Sequence, residues 1–268
     1  FPINNGLTAA DVLDICFDNN GVLYSASWSN GFQKSTDKGN SWTVINNGLT
    51  NSYCYSIIAD DNGNLIGGTD QGIFRSTNGG MNWVQTANAG NNFPYRLYKD
   101  NQNRIYSLNF DNGIYRTSNL GSSWQSLDNN FASAGVFGFA IDSSNNLYAG
   151  TRGGWIYKST DDGNSWFVSR TGVGGYTAIG GIAVAPNGYI YASNLEEGLL
   201  RSTDNGTTWE LKNSGISNLD LNTVESSSNG HLFVTAFGNV LYYSTNNGES
   251  WTDISSNMYL VEVRNVRF

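Results

Sequence analysis

A tryptophan recurs through this chain at nearly constant spacing, and that period governs what the chain can fold into. Trp42, Trp83, Trp124, Trp166, Trp209 and Trp251 stand 41, 41, 42, 43 and 42 residues apart. Each closes an octapeptide: STDKGNSW (35–42), STNGGMNW (76–83), TSNLGSSW (117–124), STDDGNSW (159–166), STDNGTTW (202–209) and STNNGESW (244–251). Such self-similarity means a row of like supersecondary units, each burying its apolar face only against a neighbour. Ahead of the octapeptides lie short β-branched and aromatic runs, such as VLDICFD, GVLYSAS and NLIGGTD, bounded by Asn, Asp and Gly. These runs read as strands. Each unit therefore has an inner strand A, a tight Asx-Gly turn, strand B, a loop, strand C, the octapeptide as a hairpin, and an outer strand D starting at Trp. Composition agrees: 32 Gly, 3 Pro and 13% charged residues in 268 suit tight-turned strands better than helices with salt-laced faces.

Four antiparallel strands per repeat describe the blade of a β-propeller. The predicted fold is all-β, a single propeller over 1–268. Its six blades fall roughly at 9–46, 50–87, 91–128, 133–169, 175–212 and 218–255. Residues 1–8 (FPINNGLT) repeat the run VINNGLT at 44–50, and 258–268 begin like a further strand A. Both read as terminal strands, with a seventh blade if the chain is a fragment. The octapeptide resembles the Asp-box, or bacterial-neuraminidase, repeat: Ser/Thr-x-Asp-x-Gly-x-x-Trp. Three copies carry Asn at the acidic position (Asn78, Asn119, Asn246), and Thr117 replaces Ser in the third. The segment NNGLT…IIADDNGNLIGGTDQGI is similar to the repeats of two-component-regulator propellers. Photosystem assembly-factor propellers share the combination of a GxxGIYRST-like run with the octapeptide. The resemblance implies an extracytoplasmic location, secreted or at the cell surface, and functions ranging from glycan hydrolysis to assembly and sensing.

The chemistry of the octapeptide is local and structural. Asp37, Asn78, Asn119, Asp161, Asp204 and Asn246 are placed to accept backbone N–H bonds inside the C–D turn. Gly at the fifth position supplies a positive φ. The six tryptophans are expected to pack against the blade, each N–H finding a carbonyl. Arg75, Arg116, Lys158 and Arg201 share the place just before the octapeptide, continued by Lys34 and broken by Tyr243; a place repeated in every unit reads as scaffold. The D-x-N-G fragment at Asp60–Gly63 lacks the bidentate Glu of a calcium loop. His231 reads as a solvated turn residue, and Cys16 and Cys54, out of register on neighbouring inner strands, as buried free thiols. Neither a metal site nor a cofactor is predicted. A net charge of −8 argues against a general phosphate-backbone binder, so no nucleic acid is expected as partner. No stretch approaches the roughly 18 apolar residues of a membrane span.

The B–C and D–A loops should share one rim, away from the octapeptides, and their residues differ between repeats. In an internal repeat, divergence against an agreeing scaffold is the available functional signal. The candidate ligand-binding residues are Trp28, Tyr53, Asp70, Phe93, Phe110, Asp111, Arg152, Glu196 and Glu197. Rings, amides and carboxylates in this mixture suit a sugar or a peptide strand. Trp28 is the leading platform, because Trp155, the other tryptophan outside the octapeptides, is expected within a strand C at the place of Phe74 and Tyr115. Asp14 and Arg96, on inner strands, line the channel or balance charge. The functional expectation is a non-catalytic module that binds a glycan or a protein segment. A glycoside hydrolase, sialidase-like or xyloglucanase-like, and an assembly or sensor propeller are the alternatives. Against the first stand short uniform blades, no Arg-Ile-Pro-type motif, and Glu196–Glu197 adjacent on one loop, where two facing carboxylates are needed.

Overall fold

Runs of five or six apolar-rich residues become paired strands here because turn residues at positive φ fold the chain back on itself. At the A–B turns these are Gly21, Gly63, Asn103, Asn145, Gly188 and Gly230. The computed structural model describes residues 11–87, 94–109, 113–127, 135–172 and 177–257. The expected terminal strands 1–8 and 258–268 lie outside them. The chain divides into two compact units, Phe1–Asp128 and Asn129–Phe268.

The first unit holds three four-stranded antiparallel sheets. These are β1 (Val12–Phe17), β2 (Leu23–Ser27), β3 (Gly31–Ser35) and β4 (Thr43–Val44); β5 (Cys54–Ala59), β6 (Leu65–Thr69), β7 (Gly72–Ser76) and β8 (Val84–Gln85); and β9 (Pro94–Lys99), β10 (Ile105–Asn109), β11 (Gly113–Thr117) and β12 (Gln125–Ser126). The second unit repeats the pattern with β13 (Val136–Ile141), β14 (Leu147–Thr151), β15 (Ile156–Ser159) and β16 (Phe167–Arg170); β17 (Ile179–Val184), β18 (Ile190–Asn194), β19 (Gly198–Ser202) and β20 (Glu210–Leu211); and β21 (Leu221–Ser226), β22 (Leu232–Ala236), β23 (Val240–Ser244) and β24 (Thr252–Asp253). Every sheet is a meander, so the A–B and C–D turns share one rim and the B–C and D–A loops the other. These are the six blades of a β-propeller fold.

The octapeptide works both within its blade and between blades. Ser35 donates to Asp37 Oδ1 and accepts the Gly39 N–H, both at 2.8 Å, while Asp37 Oδ1 accepts the Ser41 N–H at 2.8 Å. Asp161 and Asp204 accept the equivalent N–H of Ser165 and Thr208 at 2.9 and 2.8 Å. Asn78, Asn119 and Asn246 do the same for Asn82, Ser123 and Ser250 at 2.9–3.1 Å. A side-chain carbonyl is all this bond requires, which is why Asn substitutes for Asp. The fifth-position Gly has φ between 74° and 89° in all six.

The fourth residue is left-handed too, at Lys38, Gly79, Leu120, Asp162, Asn205 and Asn247, which the sequence did not disclose. In four of the octapeptides the carbonyl of this residue meets the cation that precedes the previous one. Lys34 donates to Gly79 O, Arg75 to Leu120 O, Lys158 to Asn205 O and Arg201 to Asn247 O, at 2.8–3.4 Å. The tryptophan runs the opposite way. Trp83 donates to Ile45 O, Trp124 to Thr86 Oγ1, Trp209 to Ser169 Oγ and Trp251 to Lys212 O, each on the outer edge of the preceding blade. Trp42 instead bonds Gly39 O of its own turn, the local arrangement expected for all.

Three further expectations are corrected. Trp155 precedes β15; Tyr157 occupies the Phe74 and Tyr115 place, and Trp155 is an extra loop residue whose ring stacks on Tyr157 at 6.3 Å. His231 is half-buried, its Nδ1 2.6 Å from the Tyr243 hydroxyl, so it is not a solvated turn residue. Cys54 is buried, but Cys16 is only half-buried; neither is joined in a disulfide.

Candidate functional site

All six strand-A/strand-B pairs shift register near the start of strand A; in the second blade the shift falls between Cys54 and Ser56. Such a bulge inserts one unpaired residue and re-aims its side chain. Here the extra residue is Tyr55. Its ring meets Trp28, from the B–C loop of the first blade, at 5.4 Å and 78°. Tyr53, in the D–A connection, meets the same indole at 5.8 Å and 61°. Near-perpendicular rings are the favoured aromatic geometry, and the three form a corner rather than a stack. Trp28 and Tyr53 remain 44% and 45% exposed.

The backbone holds this corner in place. The Trp28 N–H donates to Asp11 O at 3.1 Å, and the Asp70 N–H to Tyr53 O at 3.2 Å. Asp70 therefore sits against the aromatic connection, and its Oδ1 accepts from Asn51 Nδ2. Its charge is felt by its neighbours. Burial, then Asp70, raises the Tyr55 phenol above its ordinary range, and the same two causes push the Cys54 thiol up. Asp70 has no basic partner among the described residues. The structure thus brings Trp28, Tyr53 and Asp70 together and adds Tyr55, which strand alternation alone does not reveal.

In the second unit the predicted residues separate. Glu197 is committed to Arg170, whose Nη2 reaches both carboxylate oxygens at 3.0 and 2.9 Å, and Asn194 Nδ2 also donates to it. Arg170 is anchored in turn on Gly154 O at 2.7 Å. Glu196 is exposed, at a φ of 78°. Arg152 is exposed too, its N–H on Gly135 O and its backbone bridged to Ala178. Phe93, Phe110 and Asp111 lie outside the described residues.

The remaining titratable groups are structural. Asp14 is 4% exposed and its Oδ2 accepts the Ile57 N–H of the next blade at 3.0 Å, which answers the channel-or-charge alternative with a blade-to-blade bond. Arg96 is half-buried. The A–B turn carboxylates are saturated. Asp60 accepts from the Asn62 and Asn64 N–H groups and from Asn64 Nδ2, at 2.7–2.9 Å. Asp18, Asp100 and Asp142 take two backbone N–H groups each and the hydroxyls of Tyr24, Tyr106 and Tyr148. Burial first, then the turn carboxylate, pushes the Tyr24 and Tyr106 hydroxyls up to about 12. Among the described residues no three His, Cys, Asp or Glu side chains come together as metal ligands. A concavity of about 680 Å³ lies on the octapeptide rim of the second unit, bordered by Asp142–Ser144, Pro186–Gly188 and Ser226–Ser228. It is lined by hydroxyls, amides and turn backbone and has no aromatic wall, so we place the candidate site at the Trp28 corner.

No family model and no curated protein matches the sequence. The fold, however, is shared with several solved structures. YCF48 bound to D1 peptide superposes with a TM-score of 0.72 at 17% identity, over 94% of this chain and 84% of that one. Virginiamycin B lyase from Staphylococcus aureus gives 0.76 at 15% identity, over 95% and 87%. An ancestral GH74 enzyme gives 0.74 at 24% identity over 94% of this chain, which spans only 39% of that enzyme. At these identities the likeness establishes the β-propeller fold and nothing narrower. No helix among the described residues is long and apolar enough to cross a membrane, which leaves β-barrel spans unaddressed.

Proposed function

We propose that this chain is a non-catalytic binding propeller of a secreted or cell-surface protein, whose six octapeptides are Asp boxes serving the scaffold. Its ligand, a glycan or a protein segment, docks on the B–C/D–A rim of the first unit. The observation that carries this reading is the exposed corner of Trp28, Tyr53 and Tyr55 around Asp70. Exposed aromatic faces beside a carboxylate and an amide are what a sugar ring or a peptide requires. Trp28 and Tyr53 stay exposed, whereas every octapeptide tryptophan is buried or half-buried. YCF48 supplies a parallel for a propeller that holds a peptide, and an extracellular domain of Bacteroides thetaiotaomicron supplies one for the location.

The test is a glycan array and a peptide array run with the folded chain and with Trp28→Ala. Saturable binding that disappears in the variant supports the reading. Binding that survives Trp28→Ala overturns the site. Depletion of a glycan during incubation overturns the non-catalytic assignment in favour of a glycoside hydrolase.

A further inference from the structure

The chemistry of the corner narrows what it holds. Aromatic faces carry negative quadrupole charge, so they attract a cation placed within about 6 Å of the ring centroid. Three rings bound this corner, two of them nearly half exposed, with Trp28 meeting the tyrosines at 61° and 78°. Asp70 adds a full negative charge at the same edge. Its Oδ1 is engaged by the neutral Asn51 amide, which leaves the charge uncompensated among the described residues. Glu197, by contrast, holds its own guanidinium. A sugar hydroxyl can donate to this carboxylate but leaves its charge in place, a cation both donates to it and neutralises it, and an anion is repelled.

We infer that the Trp28–Tyr53–Tyr55–Asp70 corner recognises a cationic side chain of a protein segment, an ammonium, methylated ammonium or guanidinium laid on the rings and paired with Asp70. This rests on the binding reading of that rim and specifies its ligand. The long alkyl stem of such a side chain covers the indole while its head meets the carboxylate. Methylation of an ammonium spreads its charge over an apolar surface and suits an aromatic wall better still.

The experiment titrates capped pentapeptides, glycine-serine-X-serine-glycine, into protein labelled with nitrogen-15 at the tryptophan indoles. X is lysine, trimethyllysine, arginine or norleucine, and the Trp28 signal is assigned from Trp28→Phe. The expected result is a saturable shift of the Trp28 signal with the three cationic peptides and at least tenfold weaker binding of norleucine. Asp70→Asn should weaken the cationic peptides at least fivefold while the other seven indole signals keep their positions. Equal binding of norleucine and lysine, an unchanged affinity in Asp70→Asn, or no Trp28 shift with any cationic peptide overturns the inference. None of these touches the broader reading, which is decided by array binding in Trp28→Ala and by glycan depletion.

Discussion

The same class of loop groups its side chains differently in the two units. In the first, the B–C and D–A connections leave two rings exposed and Asp70 without a basic partner among the described residues. In the second, Glu197 is closed on Arg170 and Asn194, and Trp155 lies on Tyr157, while Phe237 of the last B–C loop stays 54% exposed. Divergence from the repeat is therefore not one signal but two. Some divergent residues stay open to solvent, and others compensate one another so that an irregular loop can exist. Only the partner of each side chain separates the two cases, and partners are a property of the fold.

Substitutions that contrast a scaffold residue with its site counterpart sharpen this comparison. The largest effect is expected between two tryptophans. Trp83 is 3% exposed, lies 4.5 Å from Phe32 and bonds the preceding blade, so Trp83→Ala should cost about 4 kcal/mol. Trp28→Ala should cost below about 1 kcal/mol. Urea denaturation of both variants checks the difference, and equal losses would make Trp28 a scaffold residue. Next come the two carboxylates. Glu197→Ala strands the Arg170 guanidinium, whose side chain is 13% exposed, and should cost about 3 kcal/mol. Asp70→Asn should stay within about 0.5 kcal/mol. A smaller effect tests the stitching between blades: Arg75→Met loses the bonds to Leu120 O and Ser122 Oγ, worth about 1 kcal/mol.

The smallest effect is a pH dependence. The Thr208 hydroxyl and backbone N–H hold the Asp204 carboxyl down to about 2, and Ser41 and Ser165 lower Asp37 and Asp161 likewise. A folded-state value below that of the unfolded chain stabilises above the ordinary carboxylate range. That contribution fades as pH falls from about 4 to about 2. Asn246 keeps the equivalent bond without titrating. Asp204→Asn should therefore flatten the acid limb of the denaturation midpoint plotted against pH, and an unchanged slope would contradict the assignment.

Most of the scaffold was legible because each of its rules repeats. Octapeptide spacing gave the blade, Asn in place of Asp was readable from the chemistry of a single acceptor, and the preceding cations declared themselves structural by recurring. What escaped was set between blades. The tryptophan N–H looked local, but its acceptor is mostly 38–40 residues earlier. The left-handed fourth residue is Lys, Leu, Asp or Asn in five octapeptides and Gly in one, so its identity advertises nothing. At the site, Trp28, Tyr53 and Asp70 stood out as divergent residues, whereas Tyr55 was hidden by a bulge that reverses the side-chain alternation it interrupts. Glu197 was misleading for the converse reason: the residue that engages it, Arg170, ends an outer strand 27 positions away.

The proposed function puts ligand recognition at the first unit's corner and not at the second unit's charged loops. Its most direct measurement is calorimetric titration of whichever array ligand binds, into Trp28→Ala and Arg152→Ala side by side, with both variants checked for unchanged unfolding midpoints. The account predicts that affinity is lost in Trp28→Ala and retained in Arg152→Ala. Retention in Trp28→Ala with loss in Arg152→Ala would contradict it and move the site to the second unit.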